Sequence, residues 1–251
     1  MNYQNLVAEL SIVAREAGAK IMEVYAKDPE AEFKGDGSPV TEADQAAEAI
    51  ILPALAKLAP EITVISEENA ASHSLAAPER FFLVDPLDGT KEFLKRDGKG
   101  SFTVNIALIE DGAPTMGVVY APALDRLFTG IVGEGSKEST STIQCRTVPS
   151  SGPVAVASAS HRDEATNNWL SEHGISDTVS IGSSLKFCLV ACGEADVYPR
   201  FGPTMEWDTG AGDAVLRAAG GKLTNPDGTP FVYGKADYRN GAFIAWGGFK
   251  G

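Results

Sequence analysis

Apolar residues near the start of the chain recur at spacings of three and four. The series comprises Leu6, Leu10, Val13, Ala17, Ile21 and Val24. This spacing corresponds to one face of an α-helix, so the pattern predicts an amphipathic helix of about twenty residues. A polar, glycine-containing stretch follows it and separates it from the next apolar pattern.

A second helix is predicted to begin at Thr41. Its apolar face is formed by Ile50, Ile51, Leu55 and Leu58. Pro53 lies inside this pattern and lacks a backbone N–H, so an interruption of the helix at that point is the alternative.

From residue 62 the pattern changes to short apolar runs separated by turns, which predicts strands. The runs cover residues 62–65, 81–84, 102–109, 115–120 and 126–132. Beyond about residue 150, predicted strands at 154–157, 178–181, 195–198 and 243–246 alternate with predicted helices at 164–173, 185–192 and 208–219. The order predicts a mixed α/β fold of stacked layers. We expect a single domain over residues 1–251, with tightly packed halves of about 1–150 and 151–251.

The chain of 251 residues carries a formal net charge of −13, which argues against binding to a nucleic-acid polymer. A phosphorylated substrate would require a local reversal of this sign, and metal ions held by carboxylates would supply it. Three cysteines, an odd number, indicate a reducing compartment rather than a disulfide framework. Cys188 and Cys192 have a spacing that a metal could use, but buried apolar cysteines are the preferred interpretation. We expect a cytoplasmic protein with no membrane-spanning segment. Peripheral association with the inner membrane is the alternative location.

The segment Asp85-Pro-Leu-Asp-Gly-Thr90 follows one of the apolar runs. Two carboxylates three residues apart at a tight turn can converge on Mg²⁺, which takes oxygen ligands and retains several waters. The carbonyl of Leu87 would face the same space, and the backbone N–H groups of Gly89 and Thr90 would meet a phosphate. The alternative, in which Asp88 caps a helix, explains one carboxylate but not both.

Three further acids are candidates for the same site. Glu67 follows the run at 62–65, although an acidic pair with Glu68 in a solvated loop is the alternative. Asp208 precedes a predicted helix and is either a closing metal ligand or an N-cap. Asp44 lies three residues after Thr41 as in a capping box, and its functional interpretation is that it approaches the metals or orients the attacking water.

The motifs in their order resemble the inositol monophosphatase superfamily of magnesium-dependent, lithium-sensitive phosphatases. They are Val40-Thr-Glu-Ala-Asp44, Ser66-Glu-Glu68, Asp85-Pro-Leu-Asp-Gly-Thr90 and Trp207-Asp-Thr209. Residues 90–95, 182–188 and 198–203 further resemble the 3′(2′),5′-bisphosphate nucleotidase branch, whose members convert adenosine 3′,5′-bisphosphate to AMP and phosphate. The resemblance covers nearly the whole chain and implies a layered α-β-α-β-α sandwich.

The resemblance also implies two or three Mg²⁺ ions and a set of site residues. The implied metal ligands are Glu67, Asp85, Leu87 through its carbonyl, Asp88 and Asp208. Thr90, with Glu67 or Asp44, would activate the water. The implied nucleotide contacts are His161, Ser183, Lys186 and Arg200, and the reacting phosphate would also lie against Glu67, Leu87, Asp88, Gly89, Thr90 and Asp208. The chain has Ala159 where the family pattern has Arg, which leaves substrate affinity and choice open.

Three alternatives remain at this stage. The same scaffold could act on inositol monophosphate or on fructose 1,6-bisphosphate. A non-catalytic protein that senses a metal or a nucleotide is the alternative from another class, and the presence of Thr90 argues against it. If the chain were a plain α/β domain without a site, the placement of four acids at strand ends and helix starts would be a coincidence. The oligomeric state is not indicated.

Overall fold

The computed structural model describes residues 1–27, 32–33, 39–158 and 163–249. The α-helices in these ranges are α1 (Tyr3–Tyr25), α2 (Glu42–Leu58), α3 (Thr90–Lys95), α4 (Glu164–Glu172), α5 (Leu185–Ala191) and α6 (Gly210–Ala218). Short 3₁₀ helices cover Ala70–Ser74, Glu206–Asp208 and Ala236–Tyr238. The first strands are β1 (Glu32–Phe33), β2 (Pro39–Val40), β3 (Thr63–Ser66), β4 (Arg80–Asp88), β5 (Thr103–Glu110), β6 (Ala113–Ala121), β7 (Arg126–Ile131), β8 (Gly135–Glu138) and β9 (Ser141–Ile143). The later strands are β10 (Val154–Ser158), β11 (Asp177–Ile181), β12 (Val197–Arg200), β13 (Thr204–Met205), β14 (Lys222–Thr224), β15 (Arg239–Asn240) and β16 (Phe243–Trp246).

The two N-terminal helices form where the apolar spacing predicts them. In α2, Thr41 is the N-cap, and it forms a capping box with Asp44 that satisfies N–H groups at the helix start. The helix continues through Pro53, so the predicted alternative of a break there is wrong. Both helices bury their apolar faces against one side of a sheet.

That sheet has seven strands in the order β3-β4-β5-β6-β7-β8-β9. Alternate residues of each strand point to opposite faces. On β4, Phe82 and Val84 pack under α1 and α2, whereas Phe81 and Leu83 pack in the core on the other side. The central strands of the sheet are therefore covered on both faces, which explains why β4, β5 and β6 contain long apolar runs.

A second sheet has the order β11-β10-β12-β16-β14, with β12 and β16 antiparallel and β10 parallel to both neighbours. The helices α5 and α6 contribute to the core between the two sheets. On the outer face, Leu170 of α4 packs with Val197 and Ile244. The resulting layers are α1/α2, the first sheet, α5/α6, the second sheet and α4, which confirms the predicted α-β-α-β-α architecture.

Helix α6 approaches the first sheet closely because two glycines lie beneath it. A Cβ on Gly117 of β6 would lie 2.4 Å from the carbonyl oxygen of Ala211, and one on Gly130 of β7 would lie 2.6 Å from Cα of Val215. This close packing fixes the start of α6, which follows Asp208 in the chain.

The structure differs from the predicted elements at two points near the candidate site. Strand β4 does not end at Asp85 but continues to Asp88, with an irregular register against β5 between the two acids. Helix α6 begins at Gly210, whereas Asp208 ends the preceding 3₁₀ helix. Both acids of β4 are consequently held by sheet pairing, and Asp208 by a tight turn.

The predicted interpretation of the cysteines is confirmed for Cys188, which is fully buried in the core between the sheets. Cys192, at the end of α5, is half-buried. Among the residues described, none of the helices combines the length and the apolar character needed to cross a bilayer.

Candidate active site

Acidic side chains from three separate chain segments meet at one edge of the first sheet. Glu67 directly follows β3, Asp85 lies on β4, and Asp208 ends the 3₁₀ helix before α6. Because β3 and β4 are parallel, their carboxyl ends lie together, and the Glu67 N–H donates to the carbonyl of Val84. One carboxylate oxygen from each acid lies within 4.8 Å of the other two. Three oxygens at this spacing could hold a metal ion.

The hydrogen bonds of these aspartates orient them toward the space that they share. Oδ1 of Asp85 accepts the N–H of Leu87 at 3.0 Å, and Oδ2 of Asp208 accepts the N–H of Met205 at 2.8 Å. Oδ2 of Asp85 is buried and has no hydrogen-bond partner among the described residues. A buried carboxylate oxygen without a donor is costly, and a cation is the partner that fits hard oxygen donors. The residues present therefore fit a divalent metal ion.

The electrostatics of the cluster lead to the same conclusion. Burial, followed by repulsion from Glu67 and Asp88, raises the pKa of Asp85 well above its usual range. Burial and the charges of Asp88 and Glu67 likewise raise the pKa of Asp208. These acids are crowded and desolvated without a cation, so either protons or a metal must offset their charge.

Asp88 lies beside this cluster and is tied to both halves of the chain. Its Oδ2 accepts the N–H of Ser184, next to α5, at 2.5 Å, and Nδ2 of Asn105 lies 3.5 Å away. Burial raises the pKa of Asp88 to about 6, although the charge of Lys186 and the Ser184 N–H act in the opposite direction. Sequence reasoning missed Asn105 and Ser184. A signal existed for Asn105, because it follows Thr103 at the alternating spacing of a single strand face inside an apolar run.

Thr90 and Asp44 form a second feature at the rim of the acidic cluster. The Thr90 hydroxyl lies 3.4 Å from Oδ1 of Asp44 and 3.3 Å from the carbonyl oxygen of Leu87. The other oxygen of Asp44 accepts the backbone N–H and the hydroxyl of Thr41, both at 2.8 Å. Asp44 is thus a capping-box residue, as predicted, and also contacts the threonine proposed to activate water.

A cleft of about 590 Å³ joins the acids to a group of cationic and polar residues. It is lined by Glu67, Asp85, Leu87, Asp88, Gly89, Thr90, Ser183, Lys186, Arg200 and Asp208, all predicted from the sequence. His161, also predicted, lies outside the described residues, as does Ala159. The structure therefore brings ten predicted residues to one cavity and connects Asp44 to it through Thr90.

Of the three cationic residues described in the cleft lining, Lys186 and Arg200 are buried, whereas Lys91 is exposed. The Lys186 ammonium donates to the carbonyl of Ser183 and lies 5.4 Å from the centre of the Tyr198 ring. Burial lowers the pKa of Lys186 to about 8, although the charge of Asp88 partly opposes this. The Arg200 guanidinium donates to the carbonyls of Gly202 at 3.1 Å and Pro203 at 3.2 Å. Both side chains are held in place, which suits recognition of an anionic group.

Comparison with known proteins places the chain in a class and then among its relatives. The model of the inositol monophosphatase family matches residues 2–247, and the chain belongs to that family. The resemblance found from the motifs is therefore confirmed. Within the family, the 3′(2′),5′-bisphosphate nucleotidase CysQ of Escherichia coli K12 is 47% identical over 227 residues, which cover 88% of this chain and 91% of the relative.

Solved structures agree with this placement. CysQ from Bacteroides thetaiotaomicron, described as a bacterial member of the inositol monophosphatase family, superposes with a TM-score of 0.84 at 36% identity and covers 99% of both chains. An inositol monophosphatase from Anabaena superposes with a TM-score of 0.80 at 28% identity, over 99% of this chain and 93% of the other.

Proposed function

We propose that the protein is a magnesium-dependent phosphatase that converts adenosine 3′,5′-bisphosphate and water to AMP and phosphate. The observation that carries the proposal is a single cleft lined both by the acidic cluster and by the buried cations Lys186 and Arg200. A bisphosphate has two anionic groups, and this cleft offers a partner for each. The name of the CysQ relatives supports the same substrate class.

In the proposed reaction, Mg²⁺ would be held by Glu67, Asp85, Asp88, Asp208 and the Leu87 carbonyl. When bound, the metal would neutralise charge at the reacting phosphate and make the attacking water more acidic. The chain itself would orient the scissile 3′-phosphate through the residues that line the cleft.

Thr90 and Asp44 carry the proton transfer in this proposal. The attacking water gives a proton to Oγ1 of Thr90 while the threonine hydroxyl passes its own proton to Oδ1 of Asp44, its contact in the structure. The water oxygen bonds to phosphorus as the bond to the ribose O3′ breaks. O3′ takes up a proton from solvent water to become the hydroxyl of AMP, and Asp44 releases its proton to solvent at the end of the cycle. The second oxygen of Asp44 remains fixed by Thr41, which holds the acid in position.

The cationic residues of the cleft would recognise the remaining phosphate of the substrate. Arg200 can present its guanidinium to a phosphate, and Lys186 adds a point charge beside Ser183. Gly89 and Thr90 N–H groups would lie against the reacting phosphate. The cleft volume falls within the range of about 300–1,000 Å³ that ligand pockets occupy.

Inositol monophosphate and fructose 1,6-bisphosphate are the competing substrates on this scaffold. A phosphate-release assay on a panel of adenosine 3′,5′-bisphosphate, the two competitors and 2′-AMP distinguishes them. Each substrate would be measured with MgCl₂, with EDTA, and with MgCl₂ plus LiCl. We expect the adenosine bisphosphate to give the highest kcat/KM, with dependence on magnesium and inhibition by lithium. A higher kcat/KM for either competitor would refute the proposed substrate, and turnover unaffected by EDTA would refute the metal.

The assay also separates the enzyme from a protein that only senses a metal or nucleotide. The Thr90→Val variant keeps the shape of the side chain but removes the hydroxyl. A sensor would bind the nucleotide equally well in both forms with no turnover in either, whereas the proposed enzyme loses turnover only in the variant. In the cell, the proposed reaction would remove a by-product of sulfate assimilation and sulfotransfer in the cytoplasm.

A further inference from the structure

His73 lies between two of the segments that carry the acidic cluster. It belongs to the 3₁₀ helix Ala70–Ser74, and its Nε2 lies 2.8 Å from the carbonyl oxygen of Ser66. Its ring stacks on Trp207, with the ring centres 4.7 Å apart and an angle of 25° between the planes. Ser66 immediately precedes Glu67, and Trp207 immediately precedes Asp208. One side chain therefore contacts the neighbour of each of two acids from distant parts of the chain.

The two groups that His73 contacts are a hydrogen-bond acceptor and a buried aromatic ring. A carbonyl oxygen only accepts hydrogen bonds, so Nε2 must be the protonated nitrogen that donates to Ser66. Trp207 is only 4% exposed, so the stacked ring rests on a buried surface.

The short helix that carries His73 is itself anchored at both ends. Oγ of Ser72 accepts the N–H of Ser66 at 3.1 Å and donates to the carbonyl of Asn69 at 2.6 Å. After the helix, the Tyr238 hydroxyl donates to the carbonyl of Leu75 at 2.9 Å. The helix that carries His73 is therefore tied both to Ser66, next to Glu67, and to Tyr238 in the C-terminal half of the chain, so the side chain can act as a fixed brace.

We propose that His73 is a positioning residue that holds the Glu67 and Asp208 carboxylates at the spacing a metal ion requires. The inference rests on the metal site of the proposed function. Without a cation the acids repel one another, and a side chain that links the Ser66 backbone to the Trp207 ring limits the separation of the two segments. Groups that orient metal ligands typically change metal affinity by about 10–100-fold when they are removed.

The chain contains a matched control for this proposal. His173, at the end of α4, stacks on Trp169 with the ring centres 3.9 Å apart and a 23° angle, and its Nδ1 lies 2.8 Å from the carbonyl oxygen of Trp169. The two histidines make the same kinds of contact. His173 packs on the outer side of the second sheet and does not adjoin a residue of the acidic cluster.

The test is a thermal-unfolding titration of metal-free protein with MgCl₂, which reports the apparent affinity from the rise in Tm. His73→Ala removes both contacts, His73→Phe keeps the stacking and His73→Gln keeps a donor. His173→Ala is the control. We expect His73→Ala to weaken Mg²⁺ binding by about tenfold. The Phe and Gln variants should each fall between it and the wild type, and the control should bind Mg²⁺ as the wild type does.

The outcomes separate this inference from the proposed function. Wild-type protein that shows no Mg²⁺-dependent rise in Tm overturns the metal site and the role of His73 together. Normal wild-type binding with less than about a twofold loss in His73→Ala overturns the role of His73 alone. Equal losses of Mg²⁺ affinity in His73→Ala and His173→Ala also overturn the role of His73, because general destabilisation of the fold would then explain both losses. If His73→Ala does not fold, wild-type affinity in both the Phe and Gln variants refutes the proposal.

Discussion

The close packing of α6 on the first sheet makes Gly117 a sensitive position for both stability and the site. In Gly117→Ala, the added Cβ would lie 2.4 Å from the Ala211 carbonyl oxygen and 2.9 Å from its Cα. Ordinary contact begins near 3.4 Å, so α6 must move away by about 3.4 − 2.4 = 1.0 Å. The obstructing atoms are helix backbone and cannot rotate aside. Because α6 begins two residues after Asp208, the shift is expected to displace that carboxylate.

Overpacking of this kind costs about 1–3 kcal/mol of the free energy of unfolding. In a chain of this size each kcal/mol lowers Tm by about 2–4 °C, so we expect a loss of about 2–12 °C. Thermal unfolding of the metal-free protein measures the loss of stability. The MgCl₂ dependence of phosphate release measures the displacement of Asp208, and we expect the variant to need a higher MgCl₂ concentration for half-maximal activity.

Gly241→Ala is the matched control, because a Cβ there meets no atom within 4 Å. It should leave Tm and the MgCl₂ dependence unchanged. A Gly117→Ala protein with a Tm within about 1 °C of the wild type would refute the steric reasoning, since even 1 kcal/mol exceeds that shift. A lowered Tm with an unchanged MgCl₂ dependence would show that α6 moves without displacing Asp208.

Three other changes test separate parts of the structure. Asp88→Asn should keep the Tm of the fold yet lose most phosphate release, and near wild-type turnover would remove Asp88 from the metal site. Lys186→Ala should raise KM for adenosine bisphosphate more than for a monophosphate, and equal effects would exclude it from specificity. The pKa of Lys186 is lowered to about 8, so its positive charge is lost as pH rises through 8. The KM of the wild-type protein for the bisphosphate should therefore increase above pH 8, and Lys186→Ala should lack that increase. Arg217→Met removes the arginine that lies 2.8 Å from the buried Asp213 carboxylate. It should lower the free energy of unfolding, measured in urea, by roughly 1–3 kcal/mol with little change in KM. An unchanged free energy of unfolding would show that the ion pair contributes nothing to stability.

Local patterns predicted the parts of the fold that depend on local forces. The spacing of Leu6, Leu10 and Val13 identified α1, and Thr41 with Asp44 identified the start of α2. The acids after two apolar runs were predicted to converge, and they do, because parallel β3 and β4 end at the same edge. The full set of cleft residues came from the ordered motifs rather than from any single pattern.

The features that sequence reasoning missed depend on contacts between distant segments. Strand β8 has the sequence Gly-Ser-Lys-Glu, which has the composition of a turn and becomes a strand only by pairing with β7. Strand β4 extends to Asp88 because β5 continues to pair with it beyond Asp85. Asn105 and His73 have no local pattern that indicates what they contact. Asn105 contacts Asp88, and His73 contacts Ser66 and Trp207. These contacts form only when distant parts of the chain come together in the fold.

The charge distribution explains how an acidic protein can select a bisphosphate. The net charge of −13 repels phosphates at long range, and at the cleft Lys186 and Arg200 are the cationic residues that are buried. Without a metal ion, the acidic cluster would repel a phosphate placed near Thr90. With the ion bound, the cleft would contain the metal as well as the two buried cations, and a substrate with two phosphates can use both. A monophosphate leaves one of these partners unused, which is the basis of the proposed preference.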